Sequence, residues 1–231
     1  MKCILLSLLW ILACTDAQPK QTDTASVATN TDPTSCFEKY AGKLDELLTR
    51  DDIISVYSTD IENAQKNYLR AVPAAYQACI YEWESNRTRT IKVTGREMTI
   101  PSPNRIGVAN LSFYGEKIKD PLAYFKNAHR TPTEEEKTYM QQEMTKKLEE
   151  EELSAPQKET GTKLTTSVMD KIQFEAVEGI GDAAAWDFMD SALVVLTGRT
   201  KFKIIVDISD AKEENLAIAK KLAILVLKKC S

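Results

Sequence analysis

Two β-rich runs near the end of the chain set the strongest limit on its fold. Leu193-Val194-Val195-Leu196 and Phe202-Lys203-Ile204-Ile205-Val206 flank Thr197-Gly198-Arg199-Thr200. Branched apolar residues on both sides of a short glycine loop mark a β-hairpin. The hairpin decides how the stretch before it, VEGIGDAAAWDF (177–188), is read. Gly179-Ile180-Gly181-Asp182-Ala183-Ala184 matches G-x-G-x-x-A, a phosphate-binding turn at a helix start in dinucleotide enzymes. On that reading Ile172–Val177 is the preceding strand and 182–196 the helix. Asp207, the acid for the ribose, lies somewhat beyond the usual spacing. The hairpin claims residues 193–196 for sheet and leaves no room for that helix. Gly179 and Gly181 are therefore expected to supply backbone angles that residues with a Cβ avoid. Asp182 is expected to hydrogen-bond within the turn, and Trp186 to be a core residue.

The chain also echoes itself. Trp83-Glu84 precedes Thr94-Gly95-Arg96, and Trp186-Asp187 precedes Thr197-Gly198-Arg199, with the same Trp-to-Gly spacing. Read as a repeat, each segment is a Trp strand, a turn, a strand and a Thr-Gly-Arg turn.

The N-terminus speaks to location. Met1-Lys2-Cys3 is followed by an almost wholly apolar run, Ile4–Leu12, and then by Ala13. One basic residue, a short hydrophobic core and a small residue form a secretory signal. The run is too short to be a membrane-spanning helix. Residues 1–13 are expected to be a signal peptide. Ile11-Leu12-Ala13-Cys14 resembles the lipobox of bacterial lipoproteins, in which the cysteine after the cut becomes acylated. That resemblance implies lipidation at Cys14, although Leu12 stands where a small residue is more usual. The alternative is an ordinary signal with a chance cysteine. An acylated Cys14 would hold the protein at a membrane without a spanning helix. Thr15, rather than Asp, follows it, which favours the outer over the inner membrane. A chain exported unfolded has little access to a nicotinamide cofactor, and none is expected.

The roughly 218 residues from Cys14 onward suffice for one domain with a real core. The net charge is −4 and no basic patch stands out, so nucleic acid is not an expected partner. Of the five cysteines, Cys3 leaves with the signal and Cys14 carries lipid. Cys36, Cys79 and Cys230 remain, enough for one disulfide in an oxidising envelope. Chain ends often lie close together, so Cys36–Cys230 is the preferred pair, with Cys79 a buried strand residue. A catalytic cysteine is not favoured, because the only histidine, His129, lies in a polar loop.

Residues 14–35 read as a lipidated flexible tether, rich in Thr, Asp, Ala, Gln and Pro without an apolar period. Residues 36–231 read as a single α+β domain. A helix is predicted over Cys36–Leu48, and a second one begins at the cap Thr49 with Asp51 and Asp52 in its first turn. Residues 60–70 read as helical. Cys79–Glu84 and Thr88–Val93 flank Ser85-Asn86-Arg87 as a hairpin. Thr94-Gly95-Arg96 leads on to Met98–Ile100, and Arg105–Phe113 is a further strand. Thr131-Pro132-Thr133-Glu134 starts a helical insertion over 132–153, capped by Thr131. Its narrow stripe of Tyr139, Met140, Met144 and Leu148 suits an arm lying on the domain or meeting a partner. Glutamates 149–152 read as a solvated helix end, because neighbours on a helix point in different directions. Asp210–Cys230 is the closing helix, with Asp210 and Glu213 as a capping pair.

VEGIGDAAAW, the hairpin after it and DISDAKEENLAIAKKLAILVLKKC resemble uncharacterised bacterial lipoproteins that carry a G-[IL]-G-D-x-A-x-W turn. The resemblance covers most of 36–230 through short structural motifs. It implies an α/β sandwich similar to Mog1 and the photosystem PsbP proteins, without the insertion at 132–153, and it brings no catalytic residues.

The sequence thus predicts an α+β fold: an antiparallel sheet of hairpins packed by N- and C-terminal helices, with a helical insertion. It predicts a membrane-anchored envelope lipoprotein that binds a partner protein or ligand without catalysis. The alternative is an envelope hydrolase acting on cell-wall or lipid material. No carboxylate pair has a telling spacing, and no serine elbow or metal-ligand set is present.

Overall fold

Thr200–Asp207 alternates strictly between buried and half-buried residues, and everything else is arranged around it. Phe202, Ile204 and Val206 enter the main core, while Lys201, Lys203 and Ile205 face the other way. A computed structural model of the chain describes residues 33–230 apart from 59–60, 71–72, 94–95 and 152–153.

The described residues open with three short helices, α1 (Pro33–Glu38), α2 (Leu44–Leu47) and α3 (Arg50–Val56). Strands β1 (Gln65–Leu69), β2 (Ala78–Trp83), β3 (Thr88–Val93), β4 (Arg96–Pro101) and β5 (Asn104–Phe113) follow. Three helices come next: α4 (Pro121–Ala128), α5 (Glu134–Glu150) and α6 (Ala155–Met169). The chain then forms β6 (Phe174–Val177), β7 (Ala183–Asp187), β8 (Ala192–Thr197), β9 (Thr200–Asp207) and α7 (Lys212–Lys228). Seven strands make one antiparallel sheet in the order β1-β2-β5-β9-β8-β7-β6, and β3 and β4 form a separate ribbon. The fold is therefore mixed α+β, with helices at both ends and in the middle.

One face of the large sheet is the core. Leu222, Ala223 and Val226 of α7 lie there with Leu44, Leu47, Ile53, Trp186, Leu193 and Phe202. Fully burying a Leu, Ile or Phe side chain is worth roughly 1.5–3 kcal/mol. This cluster is therefore the main source of stability. The opposite face carries a smaller cluster, Phe125 of α4 on Ala185, Val194 and Leu196. Helices α5 and α6 pack on each other as an arm in which no residue is fully buried. Leu148 rests on Gly161, where an added Cβ would stand 3.1 Å from both leucine methyls.

The ends of the domain are joined. Cys36 and Cys230 form a disulfide with Cα atoms 5.5 Å apart. Beside it the Lys229 ammonium donates to the Asp52 carboxylate at 2.6 Å and to the Glu46 carbonyl at 3.1 Å. Asp52 also closes the Thr49 capping box of α3. Burial opposes ionisation of Asp52, but the Lys229 and Thr49 hydrogen bonds outweigh it and hold its pKa below the usual range.

Several expectations need correction. Helix starts at Pro33, inside the segment read as tether, and the predicted helix over 36–48 is broken by turns at 39–42. Within the stretch read as helical over 60–70, the described residues form a 3-10 turn at Ile61–Asn63 and the edge strand β1 rather than a helix. Ser85-Asn86-Arg87 is no hairpin: β2 pairs with β1 and β5, and β3 pairs with β4. The supposed repeat therefore differs after each Trp, because β7 and β8 are paired neighbours and β2 and β3 are not. The insertion is two helices, and α5 is capped by Thr133 with Glu136, not by Thr131. Asp210 does not cap α7. The cap position is Ala211, with no side-chain cap bond, and Asn215 inside the helix ties down the loop before it, accepting from the Ile208 and Ser209 N–H groups and donating to the Ser209 carbonyl. The signal peptide, Cys14 and nearly all of the 14–35 tether lie outside the described residues.

Candidate functional site

Asp120 starts the construction by capping α4, its carboxylate accepting the Ala123 N–H at 2.8 Å, with Pro121 in the first helical turn. This sets Phe125 on the second face of the sheet. His129, at the end of α4, stacks on Phe125 at 4.3 Å and meets the edge of Phe174 at 5.5 Å. Burial lowers the His129 pKa below the ordinary histidine value, and a contact with the Phe125 carbonyl only partly offsets this. Thr131 then pins the edge of β6, because its hydroxyl donates to the Phe174 carbonyl at 2.9 Å and accepts the Phe174 N–H at 3.0 Å.

From there the chain enters α5. Arg130 grips both carboxylate oxygens of Glu136, the same residue that completes the Thr133 capping box. Those bonds, Arg130 first and the Thr133 N–H next, hold the Glu136 pKa down at about 2.

Across from this rim lies the turn between β7 and β8. Asp187 accepts the Met189 and Asp190 N–H groups at 3.1 and 3.3 Å, an Asx turn that closes the corner. Its other oxygen takes the Lys203 ammonium at 2.8 Å, and Asp190 binds the same ammonium. Burial works against charge on Lys203, but the two carboxylates outweigh it and raise its pKa.

Between the two rims lies an open, mainly apolar groove of about 770 Å³. Tyr139 and Met140 of α5 line it together with Ile172, Phe174 and Met189. Tyr139 and Met189 are exposed, at 64% and 50%. Four carboxylates (Glu135, Glu136, Asp187 and Asp190) line it against two cations, Arg130 and Lys203. Three of the four carboxylates, Glu136, Asp187 and Asp190, are committed to ion pairs and turns and so are poor proton-transfer groups, which suits binding better than acid–base chemistry.

The glycine turn lines a neighbouring cavity of about 610 Å³ that shares Phe174 and Arg130 with the groove and includes His129. Gly179 and Gly181 have φ of +79° and +59° in the link between β6 and β7, which is no helix start. A Cβ on Gly181 would stand 2.4 Å from the Leu196 carbonyl. Asp182 bonds outside its own turn: its N–H donates to the Leu196 carbonyl at 2.8 Å, and its carboxylate accepts the Gly198 N–H at 2.5 Å. Trp186 lies on the opposite face, buried in the main core and remote from both cavities. Cys79 is buried on the core side of β2, and burial pushes its thiol pKa up to about 11. It is not poised as a nucleophile.

Sequence reasoning did not single out Lys203, Asp187, Asp190, Arg130 or Met189. The signal was a lysine alternating with the apolar Phe202, Ile204 and Val206 of β9, and two aspartates three residues apart after Trp186. Among the described residues, no group of three or more His, Cys, Asp or Glu could hold a metal ion, and no helix is long and apolar enough to cross a membrane.

Compared with known protein families, curated proteins and solved structures, the chain matches none. The resemblance to envelope lipoproteins and to the Mog1 and PsbP sandwiches rests on short sequence motifs alone.

Proposed function

We propose that this chain is a lipid-anchored protein of the bacterial envelope whose domain captures an apolar ligand in the groove between α5 and the sheet. The groove carries the reading: it is open, mostly apolar, large enough for a drug-sized molecule, and bounded by side chains already fixed in ion pairs. Its excess of two carboxylates over cations favours a ligand with a neutral or cationic polar group over an anion. The lipobox-like Ile11-Leu12-Ala13-Cys14 supports the anchor, and Thr15 favours the outer membrane. The envelope-hydrolase alternative draws no support from carboxylates tied to cations and turns.

Fluorescence titration tests the groove with two naphthalene probes, neutral N-phenyl-1-naphthylamine and anionic 1-anilinonaphthalene-8-sulfonate. The neutral probe binds more tightly, and Met140→Asp weakens it by about tenfold or more, the scale of burying a charge against an apolar ligand. Equal binding to wild type and Met140→Asp overturns the groove reading. Labelled palmitate tests the anchor separately, with incorporation expected in wild type and lost in Cys14→Ser.

A further inference from the structure

The β3–β4 ribbon belongs to no site described so far. Its strands pair with each other from Thr88↔Pro101 to Val93↔Arg96, and among the described residues neither pairs with a strand of the large sheet. Its root is nevertheless fixed. The Arg87 guanidinium donates to Asp207 at 2.9 Å, to the Asp207 carbonyl at 2.7 Å, to Asn104 at 3.2 Å and to the Pro103 carbonyl at 3.2 Å. The Ser85 hydroxyl donates to the Ser102 carbonyl at 2.7 Å. The ribbon is therefore a prong held at a set angle to the domain.

Residues opposite each other in an antiparallel pair share a face, and faces alternate along each strand. Arg89 with Ile100, Ile91 with Met98, and Arg96 at the tip fall on one face. Thr88, Thr90, Thr99, Pro101 and Glu97 fall on the other. One face thus combines apolar side chains and arginines with no acid, and Met98 is 51% exposed on it. Among the described residues neither Arg89 nor Arg96 pairs with a carboxylate, although the chain as a whole is acidic.

We infer that this face of the ribbon lies against an anionic lipid surface, with Met98, Ile91 and Ile100 entering the interfacial layer and Arg89 and Arg96 at the phosphates. The occupant follows from charge and shape. A bilayer offers fixed negative headgroups beside an apolar layer, which is the complement of a two-stranded face bearing apolar residues between two arginines. The contact is distinct from the groove and does not depend on what the groove binds.

The test uses the full chain carrying a nitroxide on Met98→Cys or, as the opposite face, on Thr99→Cys. Cys79 is buried, Cys36 and Cys230 are bonded, and the labelled samples are those in which mass spectrometry finds Cys3 removed and Cys14 acylated rather than labelled, so the label reports the ribbon. Vesicles of phosphatidylcholine with one quarter phosphatidylglycerol are compared with phosphatidylcholine alone. On the anionic vesicles the label at 98 becomes accessible to oxygen and shielded from an aqueous nickel chelate, and the label at 99 stays aqueous. Arg89→Ala with Arg96→Ala abolishes the shielding, whereas Lys126→Ala, removing an exposed cation elsewhere, leaves it intact. A label at 98 that stays aqueous on both vesicles overturns the inference. So does one that is immobilised without lipid immersion, the signature of a protein contact. Mass spectrometry of Cys14 on the same samples separates loss of the anchor from failure of the ribbon.

Discussion

The Asp182 carboxylate accepts the Gly198 backbone N–H at 2.5 Å, tying the Gly-Ile-Gly-Asp turn to the Thr-Gly-Arg turn 16 residues later. Two glycine motifs that look separate in the sequence form one corner of the sheet, where the β6–β7 link crosses the tip of the β8–β9 hairpin.

Asp182→Ala should therefore cost about 0.5–1.5 kcal/mol in urea unfolding, the net range for a hydrogen bond, because this one is exposed to solvent. Asp182→Asn keeps an acceptor oxygen and should recover part of that loss. Gly181→Ala should cost more than Gly179→Ala. Both glycines have positive φ, but only at Gly181 does a Cβ meet backbone, the Leu196 carbonyl at 2.4 Å; at Gly179 the space is open. Equal effects of the two alanines would contradict this packing.

Opening the Cys36–Cys230 link, by Cys36→Ser with Cys230→Ser or by reductant, should lower stability by about 3–5 kcal/mol. The bridge spans 194 residues and so constrains nearly the whole unfolded chain. Thermal melts with and without reductant check this, and the double serine variant should be insensitive to reductant.

Arg87→Ala should lower stability by about 2–4 kcal/mol and speed amide exchange in 88–101, because it removes the clamp at the root of the ribbon and leaves a mostly buried Asp207 with Arg105 alone. Arg87→Lys should not rescue it, since a point ammonium cannot reach Asn104, Pro103 and Asp207 together.

His129 gives a pH dependence of known sign. Its folded pKa is lowered by burial, so the unfolded chain takes up the proton first as pH falls. Its contribution is present in full above the unfolded value of about 6.5 and is lost as pH falls through the folded value. Denaturation midpoints measured from pH 7.5 to 5 should fall in wild type. The fall should be smaller in His129→Phe, which keeps the stack on Phe125.

Much of the sheet was legible because buried strands alternate. β9 and its hairpin with β8 follow from Phe202, Ile204 and Val206, and the cap of α3 from Thr49 with Asp51 and Asp52 behind it, although the closed capping box did not. β1 was read as helix because it is an edge strand, exposed except at Tyr68, and so carries no alternation. α6 left no trace for the same reason: it buries nothing fully, and residues such as Thr162 and Thr165 are only half-buried. The Ser85–Arg87 link looked like a hairpin because both flanks are β-rich, and only Arg87's reach to Asp207, 120 positions away, shows why the strands part there. The groove was illegible for a related reason. Lys203, Asp187, Arg130 and Met140 come from separate elements, and no sequence spacing records their meeting. The glycine turn, by contrast, announced itself, although its aspartate reaches a different turn from its own.

The bridge between Cys36 and Cys230 also determines how the domain would answer mechanical load. A pull on the chain before Cys36 would reach α1, a helix of six residues that alone could be peeled away. The covalent link shares that tension with the end of α7, whose 17 residues are seated across the main core. A tug between the two termini would be short-circuited at the sulfurs, leaving the sheet and its groove slack.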